Sequence, residues 1–294
     1  METIGFVGLG HMGGNMAARY LAAHYPVVGE ARDRASVQWL ANQGLRWSET
    51  PREVAATADV VFTSLPDDDV VEAVAAGPDG LLAGLGAGDV WVDVSTISPA
   101  ASRRLAPQVH EQGAELLDAP VSGSVPQVKT GTLTIMVGGD ADAYARVEPL
   151  LRVLGTPTRV GDNGQGLVLK LAINISLAVQ MLAFSEGLEL ARREGVDTHL
   201  AAQVMSESPI GSPMLKARVP LVLDQPDETW FDVAFMHKDI RLALATAEAD
   251  GAPLPTAHAA DEILSRASEL GYEHRDIAVM FELLGRIGGP ARTT

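Results

Sequence analysis

The stretch IGFVGLGHMG, residues 4–13, decides how the first half of the chain folds. Its first four residues predict a buried strand, and the pattern of residues 12–23 predicts a helix directly after the glycines. A GxGxxG pattern alone is a weak signal, but here it joins a strand to a helix at the start of a βαβ unit, which makes it specific. The turn predicts a dinucleotide site formed by Gly8, Leu9, Gly10, His11, Met12 and Gly13.

Each glycine of this turn has its own physical role. Gly8 permits the tight turn, Gly10 lets the backbone approach a pyrophosphate, and Gly13 allows the helix to pack closely against the strand. The start of the helix attracts the pyrophosphate because its backbone N–H groups carry the positive end of the helix dipole. A tight turn that binds no ligand is the simpler alternative.

Outward from this stretch, short β-rich runs alternate with helical patterns. Further strands are predicted near residues 27–28, 60–64, 90–94, 116–117, 133–137 and 158–160. Helices are predicted at residues 33–42, 68–76, 100–112 and 141–154. This alternation predicts an α/β fold, a Rossmann-type doubly wound sheet that is largely parallel and has right-handed crossovers.

After residue 166 the pattern becomes wholly helical. Helices are predicted at residues 167–194, 198–207, 233–250 and 256–270, with no further strand pattern. We therefore expect a dinucleotide-binding Rossmann domain at residues 1–162 and an all-α substrate and dimerisation domain at residues 163–294, with a long interdomain helix. That helix is apolar nearly all round, so we expect a second subunit to bury part of it in a homodimer or homotetramer.

Composition excludes several functional classes. The formal net charge of −16 disfavours nucleic acids and anionic membranes as partners, so a site for a small anion needs its own local positive charge. The absence of cysteine excludes disulfides, thiolate catalysis and cysteine-based zinc sites, and the seven histidines lack metal-ligand spacing, so no metal is expected. The N-terminus lacks a basic leader and polar residues interrupt the apolar run 167–182, so we expect a soluble, cytoplasmic protein.

The residues after the second predicted strand bear on which dinucleotide is bound. An acidic side chain there holds a ribose 2′-hydroxyl, whereas an arginine favours a 2′-phosphate. The run EARDR, residues 30–34, offers Glu30 for the first task and Arg32 or Arg34 for the second. These residues by themselves leave NAD and NADP about equally supported. A third interpretation makes the arginines solvated charges on the next helix.

One lysine, Lys170, lies inside the apolar helix, just after the turn GQG at residues 164–166. Hydride transfer between a nicotinamide and a carbonyl needs a proton donor at the oxygen, and a lysine can serve if burial and positive neighbours lower its pKa. Asn174 follows four residues later on the same helix face, where its amide can hold a substrate oxygen or the lysine. The alternative is that Lys170 extends its ammonium group to the surface.

Two other predicted strand ends carry candidate polar groups. Backbone N–H groups at Ser122 and Gly123, together with the Ser122 hydroxyl, can hold a carboxylate, although an ordinary strand-to-turn exit explains them equally. Thr96 follows the strand VWVDV, and ligands gather at strand carboxyl ends in open α/β sheets. The alternative role for Thr96 is to cap the next helix, for which Ser98 is better suited.

These motifs, in this order and spacing, resemble the β-hydroxyacid dehydrogenases over nearly the whole chain. That family includes 3-hydroxyisobutyrate dehydrogenase, tartronate semialdehyde reductase and glyoxylate/succinic semialdehyde reductase, and 6-phosphogluconate dehydrogenase is a longer relative. The resemblance is carried by IGFVGLGHMG at 4–13, Leu65-Pro66, DVST at 93–96, DAPVSG at 118–123, GQG at 164–166 with Lys170 and Asn174, and Lys238-Asp239.

The resemblance implies an NAD(P)-dependent dehydrogenase or semialdehyde reductase that acts on a short, carboxylate-bearing substrate. It implies Lys170 as the general acid/base and Asn174 as the residue that orients the substrate. It further implies that the substrate carboxylate binds Ser122 and Gly123.

Further cofactor and substrate contacts are implied for Leu65, Pro66, Thr96, Phe231, Lys238 and Asp239. The last three have other interpretations, Phe231 as a core residue and the two charged residues as a solvated helix face. Arg32 matches the arginine of NADP-using members, and Ala31 stands where NAD-using members often have Asp. The resemblance therefore favours NADP, with NAD as the alternative supported by Glu30.

Two positions depart from the family pattern. Ile173 stands where members often carry Asn or His, which predicts a less polar substrate pocket, and Ser124 replaces the usual third glycine of the substrate loop. Two other functions are also considered. An imine reductase, from a related group, usually has Asp or Tyr in place of the lysine, and a non-catalytic cofactor-binding module on this fold tends to lose it. The presence of Lys170 argues against both.

Overall fold

The computed structural model describes residues 1–225 and 229–289. The chain divides into two compact units, Met1–Lys170 and Leu171–Thr294. The division falls within one long helix, after Lys170, whereas the domain boundary expected from the sequence lies after residue 162.

The first unit alternates strands and helices along the chain. Its strands are β1 Ile4–Val7, β2 Val27–Glu30, β3 Arg46–Trp47, β4 Val60–Thr63, β5 Val90–Asp93, β6 Glu115–Asp118, β7 Val121–Ser122, β8 Leu133–Gly138 and β9 Gly155–Gly161. Its helices are α1 His11–Ala22, α2 Gln38–Ala41, α3 Pro51–Thr57, α4 Asp68–Ala75, α5 Pro99–His110, α6 Val125–Thr130, α7 Ala141–Leu154 and the start of α8 Gln165–Arg193. Two 3-10 turns lie at Ala35–Val37 and Leu81–Ala83.

Within the described residues these nine strands form one sheet in the order β3-β2-β1-β4-β5-β6-β8-β7, with β9 paired to β8. Strands β1 to β6 run parallel, and β8 is antiparallel to both β6 and β7. The strand order reverses between β1 and β4, which is the position where ligands bind in doubly wound sheets. The predicted Rossmann-type α/β fold is confirmed.

Apolar side chains cover both faces of this sheet. On one face Phe6 stacks on Phe62 with ring centroids 5.2 Å apart, and Tyr20 of α1 lies against both rings. On the other face Val61 and Trp91 belong to a second buried cluster that includes residues of α3, α4 and α5. Strands that are buried on both faces are typical of parallel sheets. Polar side chains are then found where the strands end and the loops begin.

The sequence patterns do not predict the short elements β3, α3, β7 and α6. Each is too short to show a hydrophobic period. The helix-start signals of α3 and α6 are nevertheless present. At the start of α3, Thr50 accepts a hydrogen bond from the Glu53 N–H at 3.2 Å. At the start of α6, the Ser124 N–H donates to Gln127 Oε1 at 2.9 Å. Capping chemistry therefore marks short helices that periodicity cannot reveal.

The second unit is helical throughout its described residues, with no strand longer than an isolated bridge. It contains the rest of α8, then α9 Thr198–Glu207, α10 Pro213–Leu223, α11 Val233–Asp250, α12 Pro255–Glu269, a 3-10 turn at Ile277–Val279 and α13 Met280–Ile287. The predicted all-α region is confirmed. The sequence patterns do not predict α10, which contains Pro220, or the short α13.

Among the described residues, α8 is the single helix that is long and apolar enough to cross a membrane, judged by length and composition alone. In its most apolar window 44% of the residues are buried inside the protein. Core helices of soluble proteins pass the same test, so this helix is consistent with the soluble protein that the sequence predicts.

Candidate active site

The loop between β1 and α1 has a conformation that only glycine fits. Gly8 has a φ of +89°, and a Cβ added there would lie 2.4 Å from the Ser64 carbonyl oxygen. A Cβ at Gly13 would lie 2.1 Å from the Gly8 carbonyl oxygen. The chain therefore turns tightly, and α1 packs against the turn as closely as backbone atoms allow.

The N-terminus of α1 is open. Gly10 occupies the capping position, where no side chain accepts a hydrogen bond from the first turn. The backbone at Gly10 is exposed, and a Cβ added there would meet nothing within 4 Å. The exposed His11 and the half-buried Met12 begin the helix. Unpaired N–H groups and open space at a helix start fit the pyrophosphate of a dinucleotide.

The loops that follow β4 and β5 are hydrogen-bonded to each other at the carboxyl ends of these strands. The Leu65 N–H donates to Ser95 Oγ at 2.9 Å. Beneath it, Thr63 Oγ1 donates to Asp93 Oδ1 at 2.7 Å, and the Ser95 N–H donates to the same oxygen at 3.1 Å. This network, which sequence patterns did not identify, sets the positions of the predicted cofactor residues on both loops, including Pro66.

Thr96 is half-buried in the loop after β5, and it does not cap α5. Ser98 occupies that position, with its Oγ accepting a hydrogen bond from the Ala101 N–H at 3.1 Å. The Ser98 N–H donates to Asp68 Oδ1 at 2.8 Å, which joins the start of α5 to the start of α4. The capping role considered for Thr96 is therefore filled by its neighbour.

The residues after β2 differ in how far they are engaged. Burial raises the pKa of the Glu30 carboxyl, and the Arg32 charge lowers it. The Arg34 guanidinium lies 4.3 Å from the centroid of the Trp47 ring and pairs with Glu49. Arg34 is therefore engaged by two contacts, whereas Arg32 is exposed.

The predicted substrate-carboxylate loop follows the short strand β7. Ser122 is half-buried, and Gly123 is exposed with a φ of +127°, where a Cβ would lie 2.8 Å from Leu133 Cδ2. Ser124 begins α6, and its N–H donates to the side chain of Gln127. The serine that stands where the family has its third glycine occupies the N-cap position of this helix, and its Oγ also donates to Gln127 Oε1 at 3.2 Å.

The end of β6 is connected to the start of α8 through Asp118. This residue is 1% exposed, and burial raises the pKa of its carboxyl to about 6. It accepts hydrogen bonds from the N–H groups of Gly164 at 2.6 Å and Leu167 at 3.1 Å. Asp118 belongs to the motif DAPVSG at residues 118–123, but the sequence patterns assign no role to its side chain.

Lys170 lies in the second turn of α8 and is 9% exposed. Its neighbours Val168 and Leu169 are each 40% exposed, so the lysine lies on the more buried side of its own helix. That burial disfavours the alternative in which the side chain extends into solvent. Asn174 follows one helical turn later on the same helix.

Three predicted residues come together in the second unit. Asn174, 1% exposed, donates from Nδ2 to Asp239 Oδ2 at 2.5 Å, and Lys238 Nζ lies 2.9 Å from Asp239 Oδ1. Asp239 is 2% exposed, which excludes the solvated helix face as its setting. Within the described residues Asn174 Oδ1 is buried and has no hydrogen-bond partner, so it can accept one from a ligand.

Phe231 is half-buried against the apolar core of the second unit, as its core interpretation requires. Its backbone N–H donates to Asp276 Oδ2 at 3.1 Å, and the Trp230 N–H donates to the same oxygen at 2.9 Å. Arg218 pairs with Asp276 at 2.6 Å inside the protein. This buried ion pair, which the sequence patterns did not identify, positions the segment that carries Phe231.

In residues 1–225 and 229–289, no group of three or more His, Asp or Glu side chains is arranged to hold a metal ion. His237 instead pairs with a single carboxylate, with its Nε2 2.8 Å from Asp261 Oδ1.

Two family models cover nearly the whole chain. Residues 3–164 match the NAD binding domain of 6-phosphogluconate dehydrogenase. Residues 164–284 match the NAD-binding domain of NADP-dependent 3-hydroxyisobutyrate dehydrogenase. The two matches meet at Gly164, in the turn that begins α8.

Individual relatives agree with these models. The chain is 35% identical to 3-hydroxyisobutyrate dehydrogenase of Pseudomonas aeruginosa, covering 94% of this chain and 96% of the relative. It is 33% identical to glyoxylate/succinic semialdehyde reductase 2 of Arabidopsis thaliana, covering 96% of this chain and 79% of the relative.

Solved structures give the same family. The 3-hydroxyisobutyrate dehydrogenase of Mycobacterium tuberculosis with L-serine has a TM-score of 0.85 at 30% identity, covering 97% of this chain and 99% of its own. Psf3 in complex with NADP+ and 2-OPP has a TM-score of 0.89 at 28% identity, covering 96% and 100%. An imine reductase from Pseudomonas sp., at 23% identity, a TM-score of 0.64 and coverages of 97% and 99%, shares the fold alone. The chain belongs to the NAD(P)-dependent β-hydroxyacid dehydrogenase family.

Proposed function

We propose that this protein interconverts a short β-hydroxyacid and its semialdehyde, with Lys170 as the general acid/base. The observation that carries the proposal is the burial of Lys170, 9% exposed, one helical turn before the buried Asn174. An ammonium group is costly to bury, so a chain keeps one inside an apolar helix only where it has a task. Proton transfer to a substrate oxygen is a task that suits it.

The coenzyme would bind along the carboxyl edge of the first unit's sheet. The open N–H groups of α1 would hold its pyrophosphate, and the turn Gly8–Gly13 leaves room for it. Arg32 would bind a 2′-phosphate, so NADP is the proposed coenzyme, with NAD as the alternative if Glu30 binds the ribose. When bound, the nicotinamide supplies or accepts the hydride.

The substrate carboxylate would bind the backbone N–H groups and hydroxyl at Ser122 and Gly123. Lys170 would donate a proton to the carbonyl oxygen during reduction and remove it from the hydroxyl during oxidation. Asn174 would orient the substrate by accepting a hydrogen bond at Oδ1, since Asp239 already holds its amide nitrogen. Leu65, Pro66, Thr96, Phe231 and Lys238 would complete the surroundings of the coenzyme and substrate.

Ile173 bears on the choice of substrate. This half-buried residue stands next to Asn174 where relatives often carry a polar side chain, so it would offer an apolar contact. A substrate with a methyl group next to its carboxylate, such as 3-hydroxyisobutyrate, fits that contact better than one with an added hydroxyl. The functional domains would be residues 1–162 for coenzyme binding and residues 163–294 for substrate binding and dimerisation.

We also propose that the protein is a cytoplasmic homodimer or homotetramer. Four large apolar side chains are each more than half exposed: Leu190 of α8, Leu200 and Val204 of α9, and the following Ile210. A second subunit would bury them. Light scattering would give a mass of two or four times 31.0 kDa. A monomer at enzyme concentrations used in assays would contradict this proposal.

The catalytic role is tested by Lys170→Met. Turnover of semialdehydes with NADPH should fall by roughly 100- to 10,000-fold, the usual contribution of a general acid/base. Coenzyme binding, followed by fluorescence titration, should be retained. The matched control is Lys216→Met, the same change at an exposed lysine in the second unit, and it should leave turnover unchanged.

A substrate panel completes the test. Rates with NADPH and NADH against glyoxylate and against succinic, methylmalonate and tartronate semialdehydes would identify both coenzyme and substrate. Activity on cyclic imines with none on semialdehydes would instead indicate an imine reductase. Failure with every panel member and both coenzymes would indicate a non-catalytic module, and full turnover in Lys170→Met would contradict the proposed mechanism.

A further inference from the structure

A buried carboxylate that the proposed chemistry leaves unused lies at the base of helix α8. Asp118 ends β6, and its oxygens accept hydrogen bonds from the Gly164 N–H at 2.6 Å and the Leu167 N–H at 3.1 Å. N–H groups in the first turn of a helix have no acceptor within the helix itself. Asp118 therefore caps α8 from 46 residues upstream, where a local cap would come from the preceding loop.

Two glycines make room for this carboxylate. A Cβ added at Gly138 would lie 2.7 Å from Asp118 Oδ2, and a Cβ added at Gly166 would lie 2.8 Å from the same atom. Both distances are shorter than real Cβ contacts, so no larger residue fits on either side. Because the carboxylate is confined, losing its hydrogen bond to Gly164 or Leu167 moves the helix turn that it holds.

The N–H groups held by Asp118 lie within two helical turns before Lys170. Leu167 and Lys170 are three residues apart, and residues at this spacing share one face of a helix. Fixing the direction of the Leu167 N–H therefore fixes the rotation of the turn that carries Lys170. The chain also continues from Asp118 through β7 into Ser122, so the same side chain ties the proposed carboxylate loop to the lysine helix.

We propose that Asp118 is a positioning residue that sets the orientation of Lys170 through its hydrogen bonds to the first turn of α8. The proposal rests on the proposed role of Lys170 in proton transfer. Replacing Asp118 by Asn keeps the shape of the side chain but leaves one acceptor oxygen for two N–H groups. The first turn of α8 must then shift, and misplacing a catalytic group by about 1 Å costs roughly 100-fold in rate.

The experiment compares Asp118→Asn with Ser102→Ala in the full-length enzyme. Ser102 Oγ donates to Asp118 Oδ1 at 3.1 Å but makes no hydrogen bond to α8. Its removal therefore takes one hydrogen bond from the carboxylate and leaves the two bonds from Gly164 and Leu167 in place. The measurements are kcat, KM, the NADPH dissociation constant and the thermal midpoint. We expect Asp118→Asn to lower kcat by roughly 10- to 100-fold and to leave NADPH affinity unchanged. Ser102→Ala should keep the wild-type kcat.

Wild-type kcat in Asp118→Asn would overturn the proposal, as would an equal loss of kcat in Ser102→Ala. If Asp118→Asn does not fold, amide exchange in the wild-type enzyme decides. Slow exchange at Gly164 and Leu167 is expected, and fast exchange at both would overturn the proposal. Lys170→Met distinguishes a failure of the positioning role from a failure of the proposed function. An inactive Lys170→Met together with a fully active Asp118→Asn contradicts the positioning role alone. An active Lys170→Met contradicts the proposed function.

Discussion

Two helices of the first unit, α1 and α8, begin at glycine-rich turns, yet their N-termini are used in opposite ways. The start of α1 has no side-chain cap and opens to free space at Gly10. The start of α8 is closed by the buried carboxylate of Asp118. An open N-terminus can hold the anionic part of a ligand, whereas a closed one anchors the helix and everything that it carries.

The comparison teaches that a glycine-rich turn before a helix does not by itself indicate an anion site. Both turns need glycine, since Gly8 and Gly164 have φ values of +89° and +87°. What separates them is whether a carboxylate from elsewhere in the fold reaches the first turn. Three experiments test this distinction.

The largest effect is expected from Gly10→Asp, which would convert the open N-terminus into a closed one. The φ of −68° at Gly10 suits any residue, and its Cβ would meet no neighbour, so the fold should be retained. The new carboxylate would cap α1 and repel the pyrophosphate by about 4 kcal/mol, which corresponds to roughly 1000-fold weaker coenzyme binding.

Fluorescence titration with NADPH measures this loss, and the thermal midpoint should hold or rise because a cap is gained. Gly10→Ala is the control, since it adds bulk without charge and should weaken binding less. Coenzyme affinity that survives Gly10→Asp would mean that the pyrophosphate does not bind at this helix start.

A smaller effect concerns the pH dependence of stability, which the burial of Asp118 should create although its hydrogen bonds from Gly164 and Leu167 act in the opposite direction. Burial raises the pKa of Asp118 from 3.8 to about 6, so the folded state binds this proton more tightly than the unfolded state. The stabilisation is complete below about pH 3.8 and is lost as the pH rises through about 6, by up to roughly 3 kcal/mol. Asp118→Asn cannot titrate and should lack this component.

Urea unfolding of both proteins between pH 4.5 and 7.5 isolates the component, because all other groups contribute equally to the two curves. The stability deficit of Asp118→Asn should be largest at the acid end and should shrink towards pH 7.5. Ser102→Ala keeps the carboxyl group and should follow the wild-type curve shape. A difference that stays constant with pH would mean that Asp118 titrates normally in the folded protein.

The smallest effect is expected at an ordinary capped helix that has no part in the chemistry. Asp140 accepts hydrogen bonds from the Asp142 and Ala143 N–H groups, each at 2.9 Å, at the exposed start of α7. Asp140→Ala should cost about 1 kcal/mol of stability and leave kcat unchanged, whereas Asp140→Asn retains an acceptor and should cost less. A fall in kcat would show that helix caps in this unit influence turnover generally, which would weaken the special role assigned to Asp118.

Fully buried strands and long helices were predictable from the sequence, and the short helices and two-residue strands were not. Strands such as β1 and β4 and helices such as α8 and α11 bury enough apolar surface to leave a pattern. Helices α3 and α6 are too short for a period, and their capping residues are the signal that could have identified them. Helices α10 and α13 were also missed, and the internal Pro220 of α10 does not explain this, since α5 and α7 were predicted although they contain Pro107 and Pro149.

The residues of the candidate site also differ in how far the sequence identifies them. Local motifs and the family resemblance identify Lys170, Asn174 and the glycine turn as candidates. The partners that hold the candidates in place are remote, since Asp239 is 65 residues from Asn174 and Asp276 is 45 residues from Phe231. No local pattern pairs residues at such distances, because the pairing arises only when helices pack.

The sequence by itself determined the Rossmann-type sheet, the helical second half, the family and the identity of the chemical groups. These follow from periodicity, from glycines at required backbone angles and from motifs of contiguous residues. Only the tertiary structure decided which helix start stays open and which is closed, and where Asn174 finds its partner. The physical reason is that a carboxylate must be buried next to an N–H group or amide to hold it, and burial is a property of the packed chain.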